Sequence, residues 1–315
     1  MPGVEAGKGQ PAYVRTYNGI RLASQEEEPI LKIMRSAERR TAANDLVGVI
    51  PAAGLATRLS PLPCSKELYP IGLSDASGRD PVRPKAAGHY LLEKMKVAGV
   101  TKVYVVLRKQ KWDIPGYWGD GSGLGMNLAY LVLDTSPGVP FTIDHAYPFV
   151  QHATIAFGFP DILFDSKDAF LQLIASHHSS NAEVTLGLFP VHRPENVDMV
   201  DIDSRGKVRQ IMIQPSATPL RHSWAIAVWK PVFTQFLHEK VASLRERAEA
   251  RPEVSVGQIL QLAVEAGLNV NSAIVSRSPY VDIGTPEGLI SAMRHAMDSE
   301  RSDLAKPSSD CSGVL

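Results

Sequence analysis

The chain alternates between short unbroken apolar runs and longer stretches in which apolar residues recur at helical spacing. Leu46-Val47-Gly48-Val49-Ile50, closed by Pro51, is one such run, and Lys102-Val103-Tyr104-Val105-Val106-Leu107 is another. Runs of this length, apolar on both faces, predict strands buried in a parallel sheet. Leu91 to Ala98, lying between them, predicts a helix, so that strand, helix and strand fit into roughly 60 residues. Leu128 to Leu133, Ala153 to Phe159 and Ala182 to Phe189 predict further strands, and Phe233 to Glu249 and Val256 to Ala266 further helices. The alternation predicts an α/β fold with a mostly parallel central sheet flanked by helices.

The two ends read differently from the middle. After a polar stretch to Ser24, Glu26-Glu27-Glu28 precedes apolar Ile30, Leu31, Ile33 and Met34, a pattern suited to an acidic helix N-terminus. Residues 1–45 are therefore expected to form an extension with an accessory helix, and 46–296 the working domain. From Met297 the chain turns rich in Ser, Asp, Lys and Pro, and 297–315 is expected to be a disordered tail.

Composition narrows the classes. Lys plus Arg number 33 and Asp plus Glu 33, so the formal charge is zero, and the basic field of a nucleic-acid binder is missing. No apolar run approaches the roughly 18 residues of a spanning helix, so no membrane partner is expected. Cys64 and Cys311 are too few for a disulfide framework or a zinc site. With no secretory signal visible at Met1-Pro2-Gly3-Val4, a reducing, cytoplasmic location is expected.

Candidate chemistry begins in the loop after the first strand, Ala52-Ala53-Gly54-Leu55-Ala56-Thr57-Arg58-Leu59, which leads through two prolines to Ser65-Lys66-Glu67-Leu68 and Pro70-Ile71. Small residues at a strand end let backbone N–H groups approach an anion, and Arg58 and Lys66 add fixed positive charge. The loop is neither a Walker A loop nor a dinucleotide fingerprint. By themselves, the residues leave two readings open: a phosphate site, or a plain strand-to-helix turn carrying two surface cations.

Three ordered motifs resemble one family. Gly54-x-x-Thr57-Arg58-Leu59 with Ser65-Lys66 and Pro70-Ile71 looks like the signature loop of the sugar-phosphate nucleotidyltransferases, most nearly the glucose-1-phosphate thymidylyltransferases. Gly119-Asp120-Gly121-Ser122 with Gly125, Asn127-Leu128 and Tyr130 resembles a second motif of that family, and Val281-Asp282-Ile283-Gly284-Thr285 a third. The resemblance runs from Val47 to Leu289. It implies the three-layer nucleotide-diphospho-sugar transferase fold, and a reaction in which a sugar 1-phosphate attacks the α-phosphorus of an NTP and pyrophosphate leaves. dTTP or UTP is favoured as nucleotide and glucose 1-phosphate as sugar.

Such chemistry needs two anions positioned in line and their charge neutralised, rather than a protein nucleophile. By resemblance, Arg58 and Lys66 are the catalytic cations. Ala53, Gly54, Leu55, Ala56, Thr57 and Gly138 bind nucleotide, Gln214 and Trp224 meet the sugar, and Asp161 and Asp282 hold Mg²⁺. The resemblance also implies a homo-oligomer.

Departures from the family pattern motivate an alternative. Ala53 and Ala56 stand where the family has glycines, and Ile213-Gln214-Pro215 stands where it has Glu-Lys-Pro, so a cation is replaced by an amide. These changes suit a non-catalytic or regulatory nucleotide-binding homologue. The cluster Arg108, Lys109, Lys111 follows a strand and reads as a solvated face, with a phosphate role as the lesser alternative, and His177-His178 reads as a capping or solvated helix end.

Overall fold

The computed structural model describes residues 13–16, 19–22, 45–73, 83–246 and 254–304. The chain divides into two compact units, 1–45 and 46–315. In the first, β1 (Tyr13–Thr16) pairs antiparallel with β2 (Gly19–Leu22). The accessory helix expected after Glu26 lies outside the described residues.

The second unit, which also carries a two-stranded antiparallel pair, β4 (Pro70–Leu73) and β5 (Pro84–Ala86), is built on a nine-stranded sheet. Its centre is parallel: β3 (Leu46–Pro51) lies between β6 (Lys102–Arg108) and β8 (Thr154–Gly158), and β7 (Asn127–Leu133) extends it beyond β6. These are the apolar runs of the sequence, and β3 is buried from Val47 to Pro51 as a strand covered on both faces must be. Gly48 permits close strand packing, since a Cβ there would lie 2.9 Å from Val103.

Beyond β8 the sheet forks at β13 (His222–Trp229). The second half of β13 runs antiparallel to β8, from Ile226 opposite Gly158 to Trp229 opposite Ile155. Nearer its start, Ser223 faces Met199 of β11 (Met199–Ile202), which carries β12 (Val208–Met212). The other edge of β13 pairs with β10 (Val184–Pro190), and β10 pairs in parallel with β14 (Val270–Ile274).

Helices cover both faces. In chain order the longer ones are α1 (Ala87–Val97), α2 (Asp113–Trp118), α3 (Val139–Asp144), α4 (Tyr147–Val150), α5 (Ala169–Ser180), α6 (Pro231–Glu246), α7 (Val256–Glu265) and α8 (Pro286–Leu304). One core joins the sheet to α3, α6 and α7 through Ile143, Phe233, Leu237, Ile259 and Leu260. The opposite core joins it to α1, α2 and α5 through Leu91, Met95, Trp118, Phe170 and Leu173. The result is a three-layer α/β unit with a mostly parallel centre.

Local signals set several ends. Ser255 caps α7 in a reciprocal box: its hydroxyl accepts the Gln258 N–H at 3.2 Å and its own N–H reaches the Gln258 amide oxygen at 2.8 Å. Asn181, left-handed at φ 49°, closes α5. At the other end of the chain, α8 continues to Leu304, past Met297 where a disordered tail is expected, and 305–315 lie outside the described residues.

Candidate active site

The site gathers where strands β3 and β6 end. After Pro51 the chain stays in register for one more bond, from the Ala52 N–H to the Val106 carbonyl at 2.8 Å, then turns out over the sheet edge. The turn is tight at Ala56, whose carbonyl accepts the Leu59 and Ser60 N–H groups at 3.0 and 3.1 Å. Ala56 sits at φ 53°, the left-handed region that favours glycine. Ala56 thus carries a methyl group on a glycine-type backbone.

Lys66 is held from both sides. Ser65 before it donates its N–H and hydroxyl to Asp113, at 2.6 and 2.7 Å. Glu67 after it is buried and accepts from Lys111 on both oxygens at 2.7 Å. With its neighbours pinned, the Lys66 ammonium faces the Asp161 carboxylate at 2.5 Å. Burial lowers the Lys66 pKa, but Asp161 and Glu67 outweigh it and hold the group above its ordinary value.

Asp161 and Asp282 come from distant parts of the chain. Residues just after Asp161 form β9 (Ile162–Leu163), which pairs antiparallel with β15 (Val281–Asp282). The Ile283 N–H then closes onto the Asp161 carbonyl at 3.0 Å. Arg58 completes the group, with its guanidinium 3.6 Å from Asp282. Gly284 lies among them: a Cβ there would be 2.9 Å from Asp282, 3.1 Å from Arg58 and 3.5 Å from Asp161. The Gly284 N–H donates to Asp282 at 2.7 Å, while burial first and the Asp161 charge second raise the Asp282 carboxyl above its usual range.

Beside this cluster runs a cleft of about 450 Å³, lined by Gly54, Ala56, Lys66, Arg108, Gln110 and Asp113 among others, with Leu55 on its rim. Arg108 stands out because it belongs to the basic cluster expected to form a solvated face. The cluster in fact divides: Lys109 pairs with Asp134 at 2.6 Å, Lys111 is buried against Glu67, and Arg108 faces the cleft. Position at the carboxyl end of a buried parallel strand was the available signal.

The remaining candidates are scattered. Ala53 is buried in the core, and Thr57 is exposed on the turn. Gly138 starts α3 and does not line the cleft. Gln214 is exposed at φ 39°, following β12, with its backbone N–H on Asp198. Trp224 is 5% exposed and packs on Phe157 and Phe159, so its ring serves the core rather than an open sugar platform. His177 is neither capping nor solvated: it is 1% exposed, with Nδ1 2.9 Å from the Thr185 hydroxyl.

Among the described residues no group of three or more His, Cys, Asp or Glu is placed to hold a metal. A two-carboxylate set still suits Mg²⁺, which takes hard oxygen ligands, few of them from protein. The Asp282 carboxyl is raised by burial first and by the neighbouring Asp161 charge second, and a cation bound between the two carboxylates would offset both.

Residues 47–299 match the nucleotidyl transferase family, and the chain belongs to it. It is 24% identical over 256 residues to the low-salt glycan biosynthesis nucleotidyltransferase Agl11 of Haloferax volcanii, covering 80% of this chain and 66% of that protein. The match thus spans just under two thirds of that relative's length. Against the glucose-1-phosphate thymidylyltransferase of Mycolicibacterium smegmatis it is 24% identical over 250 residues, covering 78% of this chain and 80% of the relative. The fold superposes on a UTP-bound UGPase from Acinetobacter baumannii with a TM-score of 0.65 at 17% identity, covering 83% of this chain and 99% of that one. At that identity the likeness speaks for the fold.

Proposed function

We propose that the protein is a Mg²⁺-dependent enzyme transferring a nucleotidyl group from dTTP or UTP to a sugar 1-phosphate, with glucose 1-phosphate the favoured acceptor. The observation carrying this reading is the convergence of Arg58, Lys66, Asp161 and Asp282 at the strand ends beside an open cleft. A structural ion-pair network would have little reason to collect two cations and two carboxylates from three separate segments beside a loop of small residues. The relatives' names and the three sequence motifs point the same way.

In the proposed reaction an oxygen of the sugar phosphate forms a bond to the α-phosphorus, and the bond from that phosphorus to the bridging oxygen of the β-phosphate breaks. Pyrophosphate leaves with the electron pair. The loop from Gly54 to Ala56 offers backbone to the triphosphate, and Lys66 and Arg58 offset charge developing on the transferred phosphate. Asp161 and Asp282 would hold the Mg²⁺, which when bound supplies further charge neutralisation and orientation of the phosphates. On substrate binding, Lys66 and Arg58 exchange part of their pairing with these carboxylates for phosphate.

Asp161→Ala tests the reading. Loss of pyrophosphate release with an unchanged far-UV spectrum and melting profile supports it, and retained turnover contradicts it. A non-catalytic homologue is the second reading, motivated by Gln214 at the position where the family places its lysine. It predicts nucleotide binding without release.

A further inference from the structure

We propose that Arg108 is a substrate-positioning residue of the nucleotide cleft, gripping the phosphates that leave as pyrophosphate. The inference rests on the nucleotidyl-transfer reading and names a group in that site which the signature motifs do not include. Its first support is position. Pro51 pairs with Val106 in the β3–β6 ladder, so Arg108, two residues further on, emerges at the level of Ala53 and Gly54, where the phosphate loop begins. Its side chain lines the same cleft as Gly54, Ala56 and Lys66.

Its second support is charge. Every other cation at the site is committed to a carboxylate: Lys66 to Asp161, Arg58 to Asp282 and Lys111 to Glu67. Arg108 has no acidic partner within 4.0 Å among the described residues; its Nε donates to the Gln110 side-chain oxygen at 3.1 Å. That bond fixes the plane of the guanidinium from one side and leaves its two terminal nitrogens available. A planar fork with free N–H groups matches two phosphate oxygens, as a lysine would not. A triphosphate carries far more negative charge than Lys66 and Arg58 can offset while both are partly neutralised, and Arg108 supplies a cation with no competing obligation.

The test uses purified full-length protein and inorganic pyrophosphate as the probe, measured by calorimetry alongside steady-state kinetics. Arg108→Gln is expected to weaken pyrophosphate binding roughly 10- to 100-fold, the range for a charged hydrogen-bonding group. KM for the triphosphate should rise by a similar factor, with KM for the sugar phosphate unmoved. Arg108→Lys should recover only part of the loss. Equal pyrophosphate affinity in wild type and Arg108→Gln would overturn the proposal, as would a wild type that does not bind pyrophosphate. A variant impaired toward nucleoside monophosphate but normal toward pyrophosphate would overturn it too, by placing Arg108 on the nucleoside. Failure of the transfer reading looks different: pyrophosphate binds in an Arg108-dependent manner, yet none is released from any substrate pair.

Discussion

The Lys111 ammonium bridges both oxygens of the Glu67 carboxylate at 2.7 Å, and the pair is almost fully buried. It clamps the turn that presents Lys66 to the start of α2. Burial raises the Glu67 carboxyl and lowers the Lys111 ammonium relative to their ordinary values, so each depends on the other to stay charged. Removing one partner strands the other. Lys111→Met is expected to cost about 3–5 kcal/mol of stability in denaturant unfolding, while the double variant Glu67→Leu/Lys111→Met recovers most of it. An unchanged midpoint for the single variant would show that the pair is not a clamp.

Ala56 carries a left-handed backbone on a residue with a Cβ. Ala56→Gly relieves that strain, and against it stands the greater freedom glycine gives the unfolded chain. The expected balance is a gain of up to about 1 kcal/mol, because an alanine at positive φ costs more than the entropy it saves. Loss of stability in the glycine variant would mean that the methyl group packs usefully.

His177 makes stability depend on pH. Burial lowers its pKa from 6.5 to about 4, and its Nε2 has no hydrogen-bond partner, so a proton there would be buried and unmatched. The unfolded chain therefore binds more protons between these values, and the contribution is full above pH 6.5 and lost as pH falls toward 4. Its size is up to about 3 kcal/mol. Asp198 opposes it: burial raises its carboxyl to about 6, a contribution present at low pH and lost as pH rises toward 6. The check is thus the difference between wild type and His177→Leu, which should shrink as pH falls from 6.5 to 4. A constant difference would contradict the assignment.

Gln214 stands exposed where the family places a lysine, its backbone N–H tied to Asp198. If that side chain meets the sugar phosphate, Gln214→Lys restores a charged hydrogen bond and lowers KM for the sugar phosphate by about 5- to 20-fold. KM for the nucleotide should stay fixed. No change in either constant would place the sugar phosphate elsewhere.

Much of the fold was legible because a parallel sheet writes itself as unbroken apolar runs. The run from Leu46 to Ile50 and that from Lys102 to Leu107 became β3 and β6 almost to the residue. β13 holds another such run, Trp224-Ala225-Ile226-Ala227-Val228-Trp229, which is absent from the strands expected above. Arg58, Lys66, Asp161 and Asp282 were found through local motifs, yet their meeting depends on the β9–β15 ladder, two residue pairs long and separated by over a hundred positions. No periodicity announces so short a contact. Arg108 is the opposite case: in sequence it belongs to a basic cluster, and only the ladder register and the partners of Lys109 and Lys111 set it apart from its neighbours.

Whether the protein transfers a nucleotidyl group is decided by pyrophosphate release from the purified chain, crossing dTTP, UTP, CTP, GTP and ATP with a panel of hexose 1-phosphates, with and without Mg²⁺. Release is expected to require Mg²⁺, dTTP or UTP, and a sugar 1-phosphate, with nucleotide sugar formed in equal amount and the signal abolished in Asp161→Ala. Silence across the whole panel, with nucleotide binding intact by thermal shift, would contradict nucleotidyl transfer and mark the protein as a binding homologue of the same fold.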